Sequence, residues 1–176
     1  NLIFRTEKAM RAILVNVDLG FGEAYMVGDI DVEGNLTDLM EGFFRLMESF
    51  YPEWRLNAKR IYGCRGVFTN IRASNTALAL HWSYFPGVFW TAGCGWLASF
   101  FTDYADYTGD KEFMEKRCLP LLREIAAFYE DFLTVTDKDG HVVFIPSYNP
   151  ETGCGINATM DIAVALEMLT KLIAAG

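Results

Sequence analysis

The sequence has little of what metal or nucleic-acid chemistry requires. Its four cysteines, Cys64, Cys94, Cys118 and Cys154, are scattered, with no CxxC spacing and neither histidine, His81 or His141, in a ligand pattern with them. Such a pattern supplies no tetrahedral ligand set, so the expectation is no metal and no cofactor, and structural or free thiols. Lys and Arg total 15 against 23 acidic residues, for a net charge of −8. No basic run is long enough to track phosphates, which removes nucleic acid from the expected partners. No apolar run approaches the length of a membrane span, so membrane insertion is not expected. The start, Asn1-Leu2-Ile3-Phe4, is neither a signal peptide nor an initiator methionine, and the chain reads as an excised piece of something longer. Low-complexity tracts and a convincing internal repeat are also missing.

What the chain does have is apolar and aromatic mass. Of 176 residues 52% are hydrophobic and 15% aromatic, enough for one domain with a sizeable core. The same rings suit a sugar-facing cleft, because they stack on pyranose faces. Helical spacing dominates. Arg5 to Val17 reads as a helix, with a strand over Leu14 to Leu19 equally admissible, and Leu19 to Gly34 reads mostly as loop. Within that loop Asp29, Asp31 and Glu33 share a side if the segment is extended, where they meet solvent, bind a cation or line a polar cleft. Asn35 caps a helix to about Tyr51, and a shorter helix follows over Glu53 to Tyr62, ended by Gly63 and Gly66 around Arg65. Arg65 is either a ligand clamp or a cation favoured near a helix end.

Val67 to Gly87 is a long connection carrying His81, Trp82, Ser83 and Tyr84. A helix returns from Val88 to about Thr108, including Trp90, and its Gly93 and Gly95 suggest close packing on a neighbouring backbone. Asp110 caps a helix over Lys111 to about Leu133, with a break expected after Leu119 because of Pro120. Asn157 is the expected cap of a last helix to about Ala174, with Ile162, Leu166, Leu169 and Ile173 facing inward. The fold class is therefore mainly α: helical hairpins with long loops, almost no strand, and residues 1–34 as an irregular entry segment. Alternating inner and outer helices of this kind build part of an α/α toroid.

The stretch with the most chemical content is Ile145-Pro146-Ser147-Tyr148-Asn149-Pro150-Glu151-Thr152-Gly153. Its prolines, asparagine and glycine keep it out of any helix, and Pro150 stiffens the backbone beside a single carboxylate, Glu151. A rigid aromatic-rimmed loop with one acid is how a helical enzyme presents a general acid. The alternative is a surface turn with a solvated glutamate.

Three stretches resemble glycoside hydrolase family 95, the inverting α-L-fucosidases and α-L-galactosidases. Asn35 to Glu41 through Asn57-Ala58-Lys59-Arg60-Ile61-Tyr62-Gly63-Cys64-Arg65-Gly66 is similar to the family's helix and its A-x-x-x-Y-G-x-x-G turn. Trp96-Leu97 through Tyr107-Thr108-Gly109-Asp110-Lys111-Glu112-Phe113 and Leu119-Pro120-Leu121-Leu122-Arg123-Glu124 resembles its W-L … Y-x-x-T-G-D-x-x-F … P-L-L-K-E helix pair. Pro146-Ser147-Tyr148-Asn149-Pro150-Glu151 followed by Thr159-Met160-Asp161 resembles its P-S-x-S-P-E … T-M-D segment. T-G-D-x-x-F recurs in many α/α-toroid glycosidases, whereas the P-S-x-x-P-E loop with T-M-D behind it is far more specific.

The resemblance implies part of an (α/α)6 barrel catalytic domain over 1–176, an oligosaccharide or glycan substrate, and further domains in a longer parent chain. Glu151 matches the general acid, which a hydrophobic setting beside Tyr148, Trp82 or Trp90 would keep protonated. The family holds its water with an N-x-N motif and a downstream aspartate; here Asp29-Ile30-Asp31 is the nearest counterpart, and the downstream aspartate has none within 176 residues, so the piece alone is expected to be inactive. Arg65, Trp82, Trp90, Tyr148 and Asn149 are the expected sugar contacts. Family members are often exported bacterial proteins, which makes secretion or the periplasm the expected location. Two other readings stand beside this one: another α/α-toroid glycosidase or glycan phosphorylase, and a non-catalytic helical carbohydrate-binding or scaffold domain.

Overall fold

The computed structural model describes residues 2–15, 23–70, 89–149 and 153–175, without the side chains of 12–15 and 149. It is mainly helical, as expected, and divides into two compact units, Asn1–Leu46 and Met47–Gly176.

In the first unit β1 (Leu2–Phe4) pairs antiparallel with β2 (Ile30–Val32), with Ile3 opposite Asp31. The expectation of an unstructured 19–34 is thereby corrected for its second half: 23–26 is a helical turn and 30–32 a strand. Alternation of Asp29, Ile30 and Asp31 explains it, since Ile30 is buried against Ala9 and Ala24 while its neighbours turn outward. Helix α1 (Glu7–Val15) starts where Thr6 Oγ1 accepts the Ala9 N–H at 3.1 Å. The helical reading of this segment wins through Val15; residues 16–19 of the strand alternative lie outside the described residues. Helix α2 (Leu36–Glu48) begins at Asn35, whose Oδ1 accepts the Thr37 N–H at 2.9 Å.

The second unit holds the larger core. Helix α3 (Tyr51–Asn57) carries Pro52 in its first turn, where no intrahelical N–H is needed, and widens into a π turn over Ala58–Tyr62. It stops at Gly63 in the left-handed conformation. Helix α4 spans Gly93–Thr108, and Asp110 caps α5 (Lys111–Phe113) by accepting the Phe113 N–H at 2.9 Å. A π segment, Met114–Cys118, leads straight into α6 (Leu119–Phe132). The expected break at Pro120 does not occur. The hydrogen-bond pattern changes just before the proline, which then occupies the first turn of α6, where its missing donor is harmless.

Trp54, Phe68, Phe101, Leu121, Ile125 and Phe128 are fully buried. Tyr62 meets Phe68, Phe128 and Phe132 edge-on at centroid distances of 5.1, 5.7 and 5.3 Å. Partly buried Arg117 donates to both oxygens of Glu48, at 2.6 and 2.9 Å. Gly93 and Gly95 of α4 are close-approach residues: a Cβ would lie 2.5 Å from the Thr69 carbonyl oxygen and 2.4 Å from Val164 Cγ1, respectively. All four cysteines are free, Cys154 exposed and the others buried. Among the described residues no helix is long and apolar enough to cross a membrane.

The last helix, α7 (Thr159–Ala175), turns a different face inward from the one its apolar spacing suggests. Its buried residues are Asp161, Ala165 and Met168, while Leu166 and Ile173 are 65% and 80% exposed and Ile162 is exposed as well. A helix apolar on several sides does not choose its own orientation by periodicity. The partner of Asp161 chooses it.

Candidate active site

That partner belongs to a hairpin, β5 (Ser147–Asn149) and β6 (Gly153–Gly155), with register Ser147↔Gly155, Tyr148↔Cys154 and Asn149↔Gly153. Residues 150–152, which join the two strands, lie outside the described residues, and Glu151 is one of them. The hairpin follows a second short ladder, β3 (Val135–Thr136) with β4 (Val142–Val143), so the near-absence of strand expected here gives way to small two-stranded ladders between helices.

Ser147 is completely buried and donates its hydroxyl to Asp161 Oδ2 at 2.5 Å. The Tyr148 N–H donates to the same oxygen at 3.2 Å. Ser147 Oγ in turn accepts the Ala158 N–H at 3.0 Å, at the start of α7. The serine thus does the work expected of Asn157, capping the helix from a strand distant in sequence. Asn157 is committed elsewhere. Its backbone φ is 55°, its Oδ1 accepts the Phe144 N–H at 2.8 Å, and its own N–H goes to the Phe144 carbonyl at 3.0 Å. Two reciprocal clasps therefore fasten the strand side of the hairpin to the head of α7.

Asp161 is fully buried. Desolvation pushes its carboxyl above the ordinary aspartate range, and the Ser147 hydroxyl and Tyr148 N–H pull it partly back. Trp90 and Thr91 also favour the charged form, yet Trp90 Nε1, Thr91 Oγ1 and Asp161 Oδ1 make no hydrogen bond of ordinary geometry. These polar atoms face one another under the hairpin. The segment that supplies them is held by tyrosines: Tyr129 donates to the Thr91 carbonyl at 3.2 Å and Tyr62 to the Phe89 carbonyl at 2.6 Å. The Phe89 ring lies 5.4 Å from that of Tyr148. Burial, then the side-chain hydrogen bond with Cys154, raises the Tyr148 phenol, which stays neutral.

The residues singled out from the sequence fall in several places. Tyr148 sits on the hairpin itself, and Trp90 lies buried beneath it, edge-on to Trp96 at 5.3 Å. Asn149 ends β5, opposite Gly153. Arg65 is directed at α6: its guanidinium donates to Asp131 at 2.7 to 3.1 Å and to Glu130 at 3.0 Å, and its N–H also reaches Asp131 at 2.8 Å. Asp29 and Asp31 belong to the first unit, where Asp31 is paired with Arg5 and held below the usual carboxylate range by that hydrogen bond. Trp82, like Glu151, is outside the described residues.

Among the described residues, Asp137, Asp139 and His141 bring potential metal-ligand atoms within 4.8 Å of one another. Asp137 Oδ1 is occupied in closing its own turn, accepting the N–H groups of Asp139 and His141 at 2.9 Å each. Sequence reasoning named no role for Ser147, Thr91 or Asp161. The available signal was Asp161 itself, an acid in the first turn of a mostly apolar helix and part of the T-M-D match.

The model of the glycosyl hydrolase family 95 catalytic domain matches residues 31–176. The chain belongs to that family. Its catalytic domains are α/α toroids, and the helical hairpins described above are part of one. A domain of unknown function, DUF7884, matches residues 1–54 and overlaps the start of the catalytic-domain match. Alpha-L-fucosidase 2 of Arabidopsis thaliana is 27% identical over 159 residues, covering 81% of this chain. The chain spans 18% of that relative's length.

Proposed function

We propose that the protein carrying this chain is an inverting glycosidase that removes terminal α-L-fucosyl or α-L-galactosyl groups from glycans. The observation that carries the reading is the buried Ser147–Asp161 contact, made within the P-S-Y-N-P-E sequence of a family 95 catalytic domain. A buried polar anchor of this kind is unnecessary for a surface turn and useful for an acid that must hold its place.

Glu151 is the general acid that protonates the departing glycosidic oxygen. Asp29 and Asp31 are the proposed water-side residues, since inversion requires a group that activates water besides the acid. Their division of labour follows from charge. Asp31, paired with Arg5 and acidified by it, orients water as an acceptor, because a weakly basic carboxylate is a poor proton abstractor. Arg65, Trp82, Trp90, Tyr148 and Asn149 are the proposed sugar contacts, with Tyr148 the stacking surface nearest the acid in the chain.

Glu151→Gln in the intact enzyme, assayed on an aryl α-L-fucoside, tests the acid, and retained wild-type activity would refute the assignment. The anomeric form of the first product, followed by NMR, tests inversion.

A further inference from the structure

We infer that Ser147 and Asp161 are positioning residues for catalysis: the Asp161 carboxylate, reached by the Ser147 hydroxyl and the Tyr148 N–H, fixes the strand that leads to the general acid. The inference rests on the reading of Glu151 given above and assigns that acid its support.

Three features of the geometry argue for it. The first is directness. Ser147 lies four residues before Glu151, and the intervening backbone is locked at Tyr148 by an N–H bond to the same carboxylate oxygen, at 3.2 Å. The last rung, Asn149↔Gly153, stands on either side of residues 150–152 in the chain. The anchored strand therefore ends two residues before the acid in the chain.

The second is rigidity at the other end. Asp161 is on the first turn of α7, and the N–H of Ala158, just before that helix, donates back to Ser147 Oγ at 3.0 Å. Serine is donor to one residue and acceptor from another three positions away, so its hydroxyl proton has one favoured direction. Asn157 and Phe144 add a second, reciprocal pair of bonds at 2.8 and 3.0 Å.

The third is cost. A carboxylate with no exposed surface, on a helix whose other inward residues are Ala165 and Met168, is expensive to desolvate. An apolar residue there would pack more cheaply. Such a choice is found where geometry matters more than stability. A helix cap alone would need only the serine.

The test separates positioning from folding through the leaving group. Protonation matters most for a poor leaving group and least for a good one. Wild type, Ser147→Ala, Asp161→Asn and Glu151→Gln are compared in the intact enzyme on an alkyl α-L-fucoside and on 2,4-dinitrophenyl α-L-fucoside. The expected result for both anchor variants is a fall in kcat of about 10²-fold on the alkyl substrate, as for a misplacement on the order of an ångström. The loss on the dinitrophenyl substrate is expected to be under about tenfold, with KM within about threefold on both.

Equal losses on the two substrates, or an unchanged kcat, would overturn the inference while Glu151→Gln, with its own leaving-group dependence, keeps the acid assignment intact. No leaving-group dependence in Glu151→Gln would overturn both. Ser147→Ala removes one oxygen from an otherwise unchanged shape, and it carries the test if Asp161→Asn does not fold.

Discussion

Gly63 and Gly66 share a backbone φ of 71° and differ in what surrounds them. A Cβ built on Gly63 meets nothing within 4 Å. On Gly66 it would lie 2.0 Å from the Glu124 carbonyl oxygen and 2.8 Å from the Phe128 nitrogen, both backbone atoms of α6. Alanine in the left-handed region costs about 1–2 kcal/mol, of which about 0.4–1 kcal/mol is returned through the less flexible unfolded chain. Gly63→Ala is therefore expected to lose about 1 kcal/mol. Gly66→Ala adds overpacking that no rotamer change relieves, a further loss of about 1–3 kcal/mol. Denaturant unfolding of the two variants, with m unchanged, measures the difference as a shift in midpoint. Losses equal to within about 0.5 kcal/mol, the ordinary scatter between independent sites, would refute the claim that the chain crosses α6 in van der Waals contact at Gly66. The crossing matters because it leads from Tyr62, which holds the Phe89 carbonyl, to buried Val67 and Phe68.

Three further outcomes are expected. Gly95→Ala, whose Cβ would lie 2.4 Å from Val164 Cγ1, loses about 1–3 kcal/mol alone; the double variant with Val164→Ala recovers part of that, and a double-mutant cycle by denaturant unfolding reads the coupling. Phe128→Ala, which removes a buried ring stacked on Phe132 at 5.5 Å, costs about 3–5 kcal/mol in the same assay. The Asp131 carboxyl is held below its usual range by the Arg65 side chain and N–H. Its stabilising contribution is present above its ordinary value of 3.8 and is lost as pH falls through the lowered one. Arg65→Gln should flatten the acid side of a plot of Tm against pH, and an unchanged slope would refute the pairing.

Much of the helical frame is legible in the sequence because local chemistry fixes it. Asn35 and Asp110 cap helices with their own side chains, Pro52 stands in a first turn, and Gly63 ends a helix, each within a few residues of the bond it makes. The misread features are those decided at a distance. Pro120 is accommodated by a π segment that begins six residues earlier. The pairing of Leu2–Phe4 with Ile30–Val32 needs partners about thirty residues apart, which no window of helical or alternating spacing contains. The helix-capping role of Ser147 spans eleven residues, and the local candidate, Asn157, is diverted to Phe144.

The orientation of α7 joins the legible and illegible parts of the site. Its sequence offers the stripe Ile162, Leu166, Leu169 and Ile173, and the structure instead buries the stripe one residue earlier, beginning with Asp161. Rotating the helix to the first choice would carry Asp161 about 100° around the axis and break its bonds to Ser147 and Tyr148. The observed face buries Ala165 and Met168 beside Asp161 and leaves Leu166 and Ile173 exposed within these 176 residues. That face also brings the Asp161 carboxylate to where the Ser147 hydroxyl and the Tyr148 N–H converge on it. The buried acid of that face is thus also the one that holds strand β5 at Ser147 and Tyr148. Fold and candidate chemistry meet in a single hydrogen-bonded pair, Ser147 and Asp161.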